Sequence, residues 1–153
     1  MGFRTNSRGF TLMEIMISTS IIGLLASLAL PSLNEAGKRA RSKRFSHEIR
    51  TVAHAFMNYS IEEGGYPPDS TPGIMPKGMS SYLESFGWNE KTVIGGQWDW
   101  DHRVFGIRAA ISVYGPDWNE DLMEKIDKTL DDGNLASGDF RKRSGGYMYI
   151  IEH

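Results

Sequence analysis

The sequence predicts an α+β fold in which one long, bent N-terminal helix packs on a small antiparallel β-sheet head, the helix's first half being apolar enough to lie in a membrane. Three features predict it. From Phe10 to Leu33 the only charged side chain is Glu14, and that length of mostly apolar helix suffices to cross a hydrocarbon core of about 30 Å. Farther on, Ile49, Val52, Phe56 and Tyr59, with Ala53 beside them, recur at three- and four-residue intervals and make one apolar helix face. Beyond Lys91, short aromatic and β-branched runs are separated by Gly, Pro, Asn and Asp, the pattern of short paired strands.

Taken in order, residues 1–9 form a polar, basic leader carrying Arg4 and Arg8, followed by a span at 10–33, a continuing helix at 34–64 and a head at 65–153. The leader has no apolar core of its own, unlike an ordinary secretory signal. Within the helix, Pro31 lacks an N–H and crowds the preceding turn, which predicts a bend, and Gly37 adds a second soft point. Gly64-Gly65 ends the helix, and Tyr66-Pro67-Pro68-Asp69, Pro72-Gly73 and Pro76 form a proline-rich loop. Ser80 to Phe86 reads as a short helix, and Val93 to Asp101 and Phe105 to Tyr114 as a hairpin turning at Asp101-His102-Arg103. Pro116-Asp117-Trp118 opens a second helix with Asp117 as N-cap; Trp118, Leu122, Ile126 and Leu130 form its stripe, and Gly133 ends it. Tyr147 to Ile151, apolar on both faces, is expected in a central position of the sheet.

Composition narrows the function. There is no cysteine, which excludes a disulfide staple, a thiolate zinc site and a cysteine nucleophile. From Phe45 onward ten Lys and Arg face seventeen Asp and Glu, so the head is acidic, while Lys38, Arg39, Arg41, Lys43 and Arg44 crowd just past the span. That run is expected to lie near lipid phosphates rather than on nucleic acid. No nucleophile elbow, phosphate loop or dinucleotide fingerprint occurs, so no enzyme activity is expected. An anchored hydrolase using Asp99, Asp101 and Glu84 would need two close carboxylates in a concave site, of which the sequence gives no sign. Trp98 and Trp100 share a strand face, readable as a carbohydrate platform or, as preferred here, as packing under the long helix. His47 and His54, seven apart on the helix, have no third ligand in register and are read as solvated.

The N-terminal stretch Arg8-Gly9-Phe10-Thr11-Leu12-Met13-Glu14, with Pro31 downstream, resembles the class-III signal of type IV prepilins and type II secretion pseudopilins. The alternative is a plain signal anchor with a chance glutamate. The resemblance implies cleavage between Gly9 and Phe10 by a prepilin peptidase and methylation of the new Phe10 amine. It further implies an assembly role for Glu14 opposite a neighbouring subunit's N-terminus. Two charges, each costly in an apolar bundle, become tolerable when they meet. It also implies a bacterial inner-membrane, single-pass protein with a periplasmic head, whose partners are other pilin-like subunits, an assembly platform and membrane lipid, without nucleic acid. The basic run after the span argues for the opposite orientation by the positive-inside count; the leader's need to face the peptidase in the cytoplasm decides against it.

Within the family a type II secretion pseudopilin is preferred to a major or minor type IV pilin, because the head lacks the cysteine pair that brackets a C-terminal loop in many pilins. Tyr66-Pro67 just after the helix also resembles the pseudopilin pattern. Major pseudopilins carry a calcium site in a C-terminal loop. The loop Asp131-Asp132-Gly133-Asn134-Leu135-Ala136-Ser137-Gly138-Asp139 resembles it in gathering oxygen ligands at Asp131, Asp132, Asn134 and Asp139. Its spacing is not that of an EF-hand, and a helix terminus with solvated charges explains the same residues. A membrane-anchored module binding a ligand through the tryptophan face or this loop is the remaining rival.

Overall fold

The computed structural model describes residues 9–153; the rest of the leader, with Arg4 and Arg8, lies outside the described residues. The elements are α1 (Leu12–Glu63), a 3-10 turn (Met79–Ser81), β1 (Gln97–His102), β2 (Ala109–Tyr114), α2 (Glu120–Leu130), β3 (Phe140–Arg143) and β4 (Gly146–Glu152). Two compact units are formed, dividing within α1 after Lys38.

Among its described residues, the first unit is helical from Leu12 onward. Its side chains are apolar on every side, and none in its most apolar stretch is buried; Leu12, Ile22, Leu28 and Leu33 are all well exposed. The polar groups it does carry turn inward on the helix itself. Ser18 Oγ donates to the Glu14 carbonyl at 2.7 Å, Ser20 Oγ to Met16 at 2.8 Å, Ser27 Oγ to Leu24 at 2.7 Å and Ser32 Oγ to Ala29 at 2.8 Å. Self-satisfied hydroxyls of this kind lower the cost of placing a segment in hydrocarbon, where no water can pair them. α1 continues through Pro31 and Gly37; the proline has no N–H, so it forfeits one hydrogen bond to the turn below but does not end the helix.

The second unit is built on the sheet, order β1-β2-β4-β3, antiparallel throughout. β4 is therefore interior, as its two-sided apolar character predicts. The α1 face at Phe45, Ile49, Val52, Ala53 and Phe56 is fully buried against the sheet's near face. Phe45 stacks on Trp98 with centroids 5.5 Å apart, and Phe56 on Trp100 at 4.0 Å. The indole of Trp100 donates to the Pro67 carbonyl at 3.0 Å and that of Trp88 to Ile74 at 2.9 Å, so these buried N–H groups are paired. The tryptophan face is core, which rules it out as a carbohydrate platform. Gly64, at φ 76° just past Glu63, terminates α1 in the left-handed conformation glycine adopts without strain.

Several boundaries differ from the sequence-based expectation. The segment expected as a helix at Ser80–Phe86 holds only the 3-10 turn. The first strand begins at Gln97, because Gly95 and Gly96 both take positive φ in a turn closed by Gly95 N–H to Thr92 O at 3.0 Å. Its partner begins at Ala109, since Arg103, Phe105 and Gly106 also have positive φ and form a loop. α2 is capped by Asn119, whose side chain accepts from Leu122 N–H, rather than by Asp117, and it ends at Leu130. Its buried face is Met123, Ile126 and Asp127, with Trp118 and Leu130 at the margin; Leu122 is not part of it. The Arg141-Lys142-Arg143 run, expected only as a lead-in, is strand β3.

Candidate functional site

Gly9 and Phe10 precede the first helical turn, and Phe10 is 83% exposed. Apart from its chain neighbours, nothing lies within 4 Å of where a Cβ on Gly9 would stand. Thr11 is the N-cap of α1 and Glu14 its third residue, and the two make a reciprocal capping box. Thr11 N–H donates to Glu14 Oε2 at 2.8 Å, and Thr11 Oγ1 donates to the same oxygen at 3.0 Å. Glu14 N–H donates to Thr11 Oγ1 at 3.2 Å. The box was legible in the Thr-x-x-Glu spacing, a signal the sequence reading passed over. Both side-chain hydrogen bonds of Glu14 among the described residues fall on Oε2, and Oε1 makes none.

Residues 4–30 match the family described as "Prokaryotic N-terminal methylation motif". The chain carries a prepilin-type signal. It is 33% identical over 78 residues to the type II secretion system core protein G of Escherichia coli (strain K12), covering 51% of this chain and 50% of that protein. It is 33% identical over 64 residues to the same core protein of Pseudomonas aeruginosa, covering 42% of this chain and 45% of the other. It is 34% identical over 67 residues to the type IV major pilin protein PilE of Neisseria gonorrhoeae, covering 44% and 40%. The chain thus spans about half the length of the curated relatives it matches. No solved structure matches it significantly. The methylation motif, one long apolar helix behind it and a four-stranded antiparallel sheet make an α+β chain consistent with the pilin fold.

At the C-terminal end of α2 the structure gathers a second group. One carboxylate oxygen each from Asp127, Asp131 and Asp132 lies within 4.8 Å of the others. Asp131 is oriented by the Asp139 N–H, which donates to its Oδ2, and Gly138 lies so close that a Cβ there would overlap this carboxylate. Asp132 accepts from Asn134 N–H at 2.7 Å and from Ser137 Oγ at 2.9 Å. Asn134 and Asp139 touch the triad through their backbone N–H groups, while the Asn134 side-chain oxygen accepts from Ala136 N–H at 3.2 Å and Asp139 Oδ1 faces His153 Nε2 at 3.1 Å.

Asp127, which the sequence reading did not single out, is fully buried, and neither carboxylate oxygen has a well-formed hydrogen bond, the nearby Gly133 N–H only partly offsetting its charge. Burial first, then the neighbouring Asp132 and Asp131, push its pKa up to about 6. Its position fits the i, i+4 geometry of a helix, one turn before Asp131. Close by, Arg50 of α1 donates from Nη2 to the Thr129 carbonyl at 2.9 Å, meeting the negative end of α2.

Proposed function

We propose that this chain is a structural, non-catalytic subunit of a pilus-like fibre of the type II protein secretion class, and that residues 1–9 are removed by a prepilin peptidase and the Phe10 amine methylated. In this reading the chain sits in the bacterial inner membrane through residues 10–33 with its head in the periplasm, then leaves the bilayer for a helical fibre of like subunits. The observation that carries it is the uncovered apolar helix placed in register behind Gly9-Phe10: such a surface has no stable existence in water and needs lipid or neighbouring helices around it. Within the fibre, Oε1 of Glu14 is the atom offered to a neighbour's Phe10 amine. The basic run at Lys38–Arg44 lies where lipid phosphates would meet it.

Intact mass of the protein purified from its native membrane tests the processing step. The expected species begins at Phe10 and carries one methyl group. A full leader on assembled protein overturns the reading, and assembly into surface pili in place of a secretion fibre would move it to the type IV pilins.

A second reading concerns the triad, and the orphaned Asp127 favours it. We infer that Asp127, Asp131 and Asp132 hold a hard divalent cation, calcium by preference. Three carboxylates this close repel one another, Asp131 and Asp132 are only partly compensated by their hydrogen bonds and Asp127 lacks one, and a divalent ion that takes oxygen donors would satisfy them together.

A further inference from the structure

A cleft of about 490 Å³ opens beside the far face of the sheet, where the β1–β2 loop and β3 border it. Buried Ile107 and Met148 form its apolar lining together with the half-exposed Phe105, and Arg141 contributes nitrogen donors. Among the described residues no Asp or Glu side chain lines it, although the head as a whole is acidic. Two of the cations in its wall are already neutralised. Arg143 pairs with Asp99 and Asp101, and the Lys142 ammonium reaches Glu120 at 2.9 Å.

Arg141 is different. It has no carboxylate partner among the described residues. Its Nη2 reaches only His153 Nδ1, at 3.5 Å, and its Nε is buried without any partner. A guanidinium offers five N–H donors in a planar fork that matches a carboxylate, and leaving such donors unmet away from water is costly. An unpaired cation in a cleft of an otherwise negative head is also a local positive pole that concentrates anions. The floor beside it is hydrocarbon and aromatic, which a bare inorganic anion would not use.

We propose that this cleft binds a small organic carboxylate, its oxygens on the Arg141 fork and its apolar body on Met148, Ile107 and Phe105. The volume suits a ligand of about amino-acid to small-peptide size. Nothing in the assembly reading requires this site, so the two stand or fall separately.

The test uses the full chain in neutral detergent, labelled at its methionine methyl groups for NMR. N-acetylphenylalanine is the probe, its amide the uncharged control and inorganic phosphate the anion control. The expected result is a saturable shift of the Met148 methyl with the acid, at least tenfold weaker with the amide and absent with phosphate, while Met79 and Met123 in the main core stay still. Arg141→Met should abolish the shift with an unchanged Tm, and Arg141→Lys, which keeps the charge but not the fork, should weaken it severalfold. Equal binding of acid and amide, equal binding of phosphate, a response confined to other methionines, or full binding by folded Arg141→Met would each overturn the proposal.

Discussion

Glu14 carries two demands that pull in different directions. As the third residue of α1 it completes the capping box with Thr11, an interaction worth about 1 kcal/mol to a helix start. As the lone charge of the apolar stretch it is expensive in lipid, about 3 kcal/mol at the centre of a bilayer and less near an end. Substitutions can separate the demands. Glu14→Gln keeps a capping side chain and removes the charge, whereas Thr11→Val removes the cap and keeps the charge. Both should insert in the membrane at wild-type levels, but only Thr11→Val should still assemble fibres, as counted by sedimentation of sheared fibres. Wild-type fibre yield from Glu14→Gln would sink the pairing with a neighbour's amine and leave Glu14 as a cap.

At the scale of elements, the far face of the sheet is held by charge where the near face is held by aromatics. Arg143 of β3 reaches Asp99 and Asp101 of β1 across the intervening strands, and Ser112 of β2 donates to Asp101. Gly146, the β4 residue paired with Arg143, adds no side chain in between. This explains why β3 escaped the sequence reading: Arg-Lys-Arg has no apolar alternation, and its inward side chain is matched by the Asp-x-Asp of β1, a complementarity visible only once the two edges are known to share a face. The main core, by contrast, was legible, because Ile49, Val52 and Phe56 opposite Trp98 and Trp100 follow the helix and strand periods.

Two carboxylates sharing one guanidinium leave a net negative charge under cover. Burial, with Asp101 beside it, raises the Asp99 pKa from 3.8 to about 6 despite Arg143. A carboxyl whose pKa is higher folded than unfolded binds its proton more tightly in the folded state. Its ionisation therefore costs stability as pH climbs from about 4 to about 6, by at most about 3 kcal/mol. Asp127 works in the same direction, while His102, whose pKa burial lowers, works against it. In chelator the Tm should therefore be higher at pH 5 than at pH 7.5, and Asp99→Asn should flatten that difference. A Tm that rises with pH across this range in wild type contradicts the burial assigned to Asp99.

The α2 terminus makes the companion case. The sequence displayed the acidic loop, but it hid Asp127 within an ordinary helix, where only burial distinguishes it from its neighbours. If the triad holds calcium, the full chain in detergent should melt higher in millimolar calcium than in chelator, by about 2.7 kcal/mol at a hundredfold excess over Kd. Magnesium should do much less, since it keeps its waters. Asp127→Asn should raise the Tm in chelator, because a buried charge is gone, and should erase the calcium response. Equal melting in calcium and chelator would leave the loop as a helix terminus with solvated charges.

For the whole molecule, the division after Lys38 sets what each part needs in order to exist. Among the described residues, every buried apolar side chain of the core lies at Phe45 or later, so the described residues of the first unit add nothing to that buried core. A chain beginning at Arg39 retains the helix face, the sheet and α2, and with them nearly all the apolar burial that drives folding. It loses the one helix among the described residues that is long and apolar enough to cross a membrane. That fragment should therefore be soluble without detergent and keep the near-ultraviolet circular dichroism of its packed tryptophans, with a Tm within a few degrees of the full chain in micelles. It should also be lost from the membrane fraction and from fibres. A fragment that dissolves but shows no near-ultraviolet signal would mean that the head depends on the first unit for its packing, and the separation of anchor from head would have to be abandoned.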